Sequence, residues 1–316
     1  MSFKDIKGHD IQISLLQKEI ERGSVAHAYL FVGIDGIGKG LVASTFAKTL
    51  NCESRQKDPC DICASCRKID NKNHPDVFRI IPDEGGKTIK IDTIRALEER
   101  ISFKPYEANW KVVIIEDAHL MTAEAANSIL KTLEEPSPQS VIILTTSNIS
   151  GIFQTVISRC QIVKFAPLSF DIVENILIKK FGLEKDNARF ISRLSNGAVD
   201  KKLISEGESI IAWKNGIINE FMDGSFFRED SLMFSSKKAD MQEAILVLIN
   251  WYRDILIHKN GISEDSIINF DRIDDVNRFS MQLSCQDIDE RLNNLIDAYL
   301  AVGQNVSPKL TIGTLI

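Results

Sequence analysis

The sequence predicts a doubly wound α/β domain on a parallel sheet, followed by a second half that is all α. Three observations carry this expectation. Short aliphatic runs alternate with helical periodicity through the first half, a glycine-rich loop follows the first of those runs, and strand-like runs give way to helical spacing beyond Phe165-Ala166-Pro167.

The elements follow in order. Ile13, Leu16 and Ile20 share one helical face that Gly23 ends, and Ala28-Tyr29-Leu30-Phe31-Val32 reads as a buried strand. Gly33-Ile34-Asp35-Gly36-Ile37-Gly38-Lys39-Gly40 comes next, then a helix through Leu41 to Leu50. After a cysteine-rich excursion come a strand at Val77 to Ile81 and an amphipathic helix from Ile91 to Phe103. Val112 to Ile115 and Val141 to Leu144 read as buried parallel strands, with a helix from Thr122 to Leu133 between them. A short helical unit is expected around Phe170 to Ile204, with Asp171, Ile172, Ile176 and Leu177 on one helix. Met241, Ala244, Ile245, Leu248, Trp251 and Tyr252 suit a long helix, and the polar stretch from Asp223 to Asp240 reads as a loop.

The glycine loop has most of what a phosphate-binding loop requires. Glycines let backbone N–H groups surround phosphate oxygens, and a lysine reaches the outer phosphates; Gly33, Gly36, Gly38 and Lys39 meet both needs. The hydroxyl that would hold Mg²⁺ is missing, because Gly40 stands in its place. Such a loop is compatible with a weak nucleotide site that does not hydrolyse. The strand Val112 to Ile115 empties into Glu116 and Asp117, the position where P-loop NTPases carry metal-binding and water-polarising carboxylates, here in the reverse of the usual Asp-Glu order. On its own that pair also reads as a solvated strand end.

Cys52, Cys60, Cys63 and Cys66 form C-x₇-C-x₂-C-x₂-C, a spacing that closes four thiolates around one tetrahedral Zn²⁺. Four sulfurs leave no open position for water, so the expected role is structural. Free thiols or disulfides are the other reading, disfavoured by a polar insertion and by the compartment. Cys160 and Cys285 are isolated and read as packing residues.

With 316 residues, 44% of them hydrophobic, the chain can bury a substantial core and divides into two or three domains. A net charge of −6 argues against a surface that binds nucleic acid throughout. The N-terminus Met1-Ser2-Phe3-Lys4-Asp5-Ile6 has no signal-peptide core, and aliphatic runs such as Ala244 to Ile249 are too short to span a bilayer, so a cytoplasmic location is expected.

Taken together, His27-Ala28-Tyr29-Leu30-Phe31, the glycine loop, the inserted cysteines, Ile115-Glu116-Asp117-Ala118-His119, the run Ala126 to Pro136 and Ser158-Arg159-Cys160 resemble the bacterial clamp-loader subunits of DNA polymerase III over roughly residues 1 to 205. Within that family, Gly40, the Glu116-Asp117 order and the lack of an arginine in Asn196-Gly197-Ala198-Val199-Asp200 set the chain with the delta-prime branch, not the hydrolysing gamma/tau branch. The resemblance implies an AAA+ domain at 1–165 with a zinc module at 52–66, a helical lid at 166–207 and a helical collar for oligomerisation at 208–316. It implies gamma/tau and delta subunits as partners, the sliding clamp and primed DNA reached through the complex, no membrane, and a cytoplasmic place at replication forks. It also implies that Arg159, beside Ser158, is donated to a neighbour's ATP site, a contribution worth roughly 10³–10⁵ in rate in such systems. Two alternatives stand beside it. The chain could be an active gamma/tau-like ATPase using Glu116 and Asp117, or the zinc insertion could itself contact DNA through Arg55, Lys57, Arg67 and Lys68, against which Asp58 and Asp61 count.

Overall fold

The computed structural model describes residues 1–82, 88–199, 204, 207–224, 238–263 and 266–303. The chain divides into two compact units, Met1–Val173 with Asn196–Asp200, and Glu174–Ser195 with Lys201–Ile316. The lid expected at 166–207 coincides with neither unit: 166–173 and 196–200 fall in the first, 174–195 and 201–207 in the second.

In the first unit the elements run α1 (Asp10–Arg22), β1 (Ala28–Val32), α2 (Lys39–Leu50), α3 (Ala64–Asp70), β2 (Val77–Ile80), α4 (Ile91–Ser102), β3 (Lys111–Ile115), α5 (Ala123–Glu134), β4 (Ser140–Thr146), α6 (Gln154–Ile157) and β5 (Gln161–Lys164). The strands form one sheet in the order β2-β3-β4-β1-β5 with every pairing parallel. Strand residues alternate between two apolar layers, which is why both faces had to be hydrophobic. Tyr29, Phe31, Val112, Ile114, Val141 and Ile143 pack with α1 and α2 on one side. Leu30, Val113, Ile115, Ile142 and Leu144 pack with α4 and α5 on the other, where Ile94, Leu97, Ile129 and Leu133 supply the helical stripes. Thr122 caps α5, its hydroxyl accepting the Ala125 N–H.

These elements match the sequence reading within a residue or two at their ends. Three were not foreseen there. The edge strand β5 is only four residues long with two exposed positions, α3 lies inside the cysteine insertion where metal-ligand spacing dominates the pattern, and α6 is a single four-residue turn of helix.

Beyond β5 all described elements are helical: α7 (Phe170–Phe181), α8 (Lys185–Leu194), α9 (Gly207–Met222), α10 (Lys238–Lys259), α11 (Ile273–Gln282) and α12 (Cys285–Gly303). The second unit is organised on α10, whose Met241, Ala244, Ile245, Leu248, Trp251 and Tyr252 are all buried, as their spacing predicted. Buried Asp254 on the same helix accepts N–H donors from Ile268 and Asn269, at 3.0 and 2.7 Å, which fixes the connection into α11. Most of the loop expected over Asp223 to Asp240 lies outside the described residues, as do Asp200 and parts of the stretch to Ile204; α10 begins at Lys238, inside that loop's expected range. No helix among the described residues is long and apolar enough to cross a membrane.

Candidate functional site

The glycine loop joins β1 to α2, so it lies at the C-terminal edge of the sheet where ligands of open α/β folds bind. Gly36 and Gly38 hold φ of 76° and 100°, values that side chains rarely tolerate, and Gly38 is the cap of α2. Lys39 is buried. Its ammonium donates to the carbonyls of Gly33 (2.6 Å) and Ile34 (2.7 Å) and lies 3.5 Å from the Asp35 carboxylate. Burial lowers its pKa, an effect opposed by the charges of Asp35, Asp117 and Glu116. The loop is also held from outside: His9 Nε2 lies 2.7 Å from the Ile37 carbonyl, and the Val199 N–H donates to the Gly36 carbonyl at 3.0 Å.

Glu116 and Asp117 leave β3 next to this loop. Asp117 sits in the left-handed region with φ 50°, and its N–H donates to Thr145 Oγ1 on β4. Glu116 forms an ion pair with Arg79 of β2. A Cβ built on Gly40 would stand 2.9 Å from Glu116 Oε1 and 3.4 Å from an Arg79 nitrogen. The position of the missing hydroxyl is thus bordered by a salt bridge within the chain. Arg79 was not singled out by sequence, because an arginine on a short strand reads as a solvated charge until the strand pairing is known. Thr145 and Thr146 were missed likewise; Thr146 Oγ1 lies 3.2 Å from His119 Nδ1.

Arg159 is engaged elsewhere. It follows α6, and its guanidinium donates to the Thr155 carbonyl (2.8 Å), to Ser158 Oγ (3.3 Å) and to Glu134 at the end of α5 (2.5 Å). A third of the side chain remains exposed. Neighbouring Cys160 packs against the α4/α5 layer, and burial pushes its thiol up to about 12. Cys285 departs from the packing expectation: it is exposed at the start of α12.

The four cysteine sulfurs lie within 4.8 Å of one another. The chain turns so that three of the four sulfurs face a backbone donor: Cys60 N–H to Cys52 Sγ (3.3 Å), Cys63 N–H to Cys60 Sγ (3.4 Å) and Cys66 N–H to Cys63 Sγ (3.4 Å). Backbone N–H groups of Ile62 and Cys63 lower the Cys60 thiol to about 6, whereas burial pushes Cys66 up. Such a cluster can hold one metal ion, and a cation would draw all four toward thiolate. The insertion is anchored by buried Lys48 of α2, which reaches Asp61 at 2.5 Å and Asp70 at 2.9 Å, and by Asp58, which accepts the Phe3 N–H at 2.8 Å. Of the basic residues offered for a DNA contact, Lys57 is paired with Glu21 and Lys68 with Glu107.

Sheet order, glycine loop and acidic strand end define an AAA+-like module followed by helices. The family model described as "DNA polymerase III, delta subunit" matches residues 8–169. DNA polymerase III subunit delta' of Bacillus subtilis is 31% identical over 303 residues, 93% of this chain and 91% of its own length. The tau subunit of the same organism is 27% identical across 93% of this chain, which spans only 57% of tau. Among solved structures, a DNA polymerase III gamma subunit-related protein from Thermotoga maritima overlaps 96% of this chain and 97% of its own at 20% identity, with a TM-score of 0.45. The chain belongs to the DNA polymerase III delta' family of clamp-loader subunits, related to gamma and tau.

Proposed function

We propose that this chain serves the clamp loader as a subunit that does not hydrolyse ATP and that completes, with Arg159, the ATP site of an adjacent gamma/tau subunit. The observation that carries this reading is a contrast within one domain. Lys39 is spent on its own loop and Glu116 on Arg79, beside a glycine where a hydroxyl is needed, while Arg159, apart from that loop and held by Thr155, Ser158 and Glu134, still keeps a third of its side chain exposed. A guanidinium presented at a neighbour's γ-phosphate stabilises charge in the transition state and needs no nucleotide in the donating subunit. The active-ATPase alternative needs Glu116 free, and the Arg79 pair counts against it.

The rest of the reading follows the family. Gamma/tau and delta subunits are the partners, the sliding clamp and primed DNA are reached through the assembly, and the place of action is the cytoplasmic replication fork. The metal is Zn²⁺, held by Cys52, Cys60, Cys63 and Cys66, and its role is structural because four sulfurs complete the shell. Residues 1–165, 166–207 and 208–316 serve as AAA+ domain, lid and collar.

The test compares complexes reconstituted with gamma/tau and delta. Arg159→Ala should leave assembly intact and slow steady-state ATP hydrolysis and clamp loading, on the order of 10³-fold if the full transition-state contribution is lost. Arg159→Lys should rescue poorly, since it keeps the charge without the planar fork. Equal rates at matched assembly would make Arg159 a structural cation bound to Glu134.

A further inference from the structure

The fold implies a Mg²⁺ beside the glycine loop, and the residues present do not fit one. A magnesium ion demands near-octahedral oxygen ligands and in such sites takes a loop hydroxyl together with a strand-end carboxylate. Position 40 offers no side chain, and the carboxylate of Glu116 is already bound by a cation of this chain.

The strand register explains why the pair forms there. Arg79 lies opposite Ile114 in the parallel β2/β3 ladder, and the Glu116 N–H donates to the Ile80 carbonyl at 2.9 Å. Side chains alternate along a strand, so Arg79, Ile114 and Glu116 share one face. Ile114 on that face packs in the layer that contains α2. The pair therefore sits over the start of α2, where Gly40 leaves room: a Cβ at that position would press on Glu116 Oε1 at 2.9 Å and touch the Arg79 guanidinium at 3.4 Å. Lys39, Asp35 and Asp117 complete the surroundings. Were Arg79 absent, the carboxylates of Glu116, Asp117 and Asp35 would remain around Lys39, a surplus of negative charge that attracts a divalent ion.

We propose that Arg79 is an intramolecular surrogate for the divalent cation: its guanidinium holds Glu116 at the start of α2 and makes the glycine-loop site exclude Mg²⁺. The gap at Gly40 and the arginine on β2 are then one feature. The missing hydroxyl makes space for the guanidinium, and the guanidinium occupies the carboxylate that the metal would need. Any nucleoside di- or triphosphate that reaches the loop binds no better with magnesium than without it.

Mn²⁺ serves as the probe, followed by electron paramagnetic resonance on the zinc-loaded full chain, with and without ADP. The wild type should take up no Mn²⁺ equivalent at this site. Arg79→Met should gain one, bound at least tenfold more tightly in the presence of ADP, and adding Gly40→Ser should tighten it further. Arg79→Lys, which keeps a cation, should exclude Mn²⁺ as the wild type does. If Arg79→Met fails a melting control, Arg79→Gln takes its place as a polar neutral variant. One Mn²⁺ equivalent bound by the wild type and lost in Glu116→Gln would overturn the proposal, as would neutral variants that fold and bind no more than wild type. Either result leaves the trans role of Arg159 standing, since that role is read from hydrolysis by the neighbouring subunit.

Discussion

Asp76, just before β2, shows how much one carboxylate can organise near an edge strand. It is buried, and its two oxygens accept N–H donors from Tyr106 (2.7 Å), Glu107 (2.8 Å) and Ala108 (3.0 Å), which ties the connection after α4 to the sheet. Burial alone would raise its pKa; the three donors outweigh burial and hold it below the ordinary carboxylate range. Because the folded pKa is depressed, the stability it contributes is fully present above the unfolded value and is lost as pH falls through the folded one. Asp76→Ala should destabilise by about 1–3 kcal/mol through stranded donors, nearer the lower figure because Tyr106 is largely exposed and water can replace part of the loss. Asp76→Asn should flatten the acid limb of stability against pH. Denaturant melts of the full chain from neutral to acid pH check both, and superimposable acid limbs would refute the assignment. The Glu134 carboxylate acts on Arg159 by the same chemistry at the surface, where a single exposed pair contributes little stability and chiefly sets direction.

At the scale of elements, the cysteine insertion is the piece whose order depends most on something outside the chain's own apolar burial. Only Cys52, Pro59, Cys66 and Ile69 among its apolar residues are buried, and the segment from Glu53 to Lys57 is exposed, so beyond the Lys48 and Asp58 anchors a metal held by the four cysteines, as proposed above, would be the main term holding the turns. Structural zinc binding is worth on the order of 10 kcal/mol in small peptides. Chelation of the reduced chain should therefore disorder residues 52–66 while the five-stranded sheet stays folded, read as loss of amide protection confined to the insertion and α3. Elemental analysis should give one zinc per chain, and a protein purified reduced with none would remove the claim. The insertion also marks where sequence reading works. Ligand spacing, 3.6-residue stripes and buried aliphatic runs are local patterns, so the cysteines, α1, α4, α5 and the central strands were legible. β5 was not, because a four-residue edge strand with a half-exposed pattern carries no periodic signal. Arg79 and Glu134 were not, because their partners lie on other elements and only the β2/β3 register and the end of α5 bring them together.

At the scale of the whole molecule, family and fold supply the apparatus of an ATPase, and the question is whether the isolated chain turns over. Four features oppose it together. Position 40 has no hydroxyl, Glu116 is held by Arg79, Lys39 is bound to two loop carbonyls, and the Gly36 carbonyl is taken by the Val199 N–H. Catalysis in such sites rests almost wholly on positioning and on charge stabilisation by the metal and the lysine. Here a metal would find no hydroxyl ligand at position 40 and would meet the Arg79 guanidinium, and the lysine must first leave two short hydrogen bonds. The purified chain should release phosphate from ATP at no more than background rate with Mg²⁺, and Lys39→Ala should leave that rate unchanged. A substantial turnover that Lys39→Ala abolishes would show that the loop rearranges into a working site and that the chain hydrolyses on its own account. Background rates in both proteins, together with loss of hydrolysis in complexes carrying Arg159→Ala, would place the chemistry in the neighbouring subunit and leave this chain as the one that completes it.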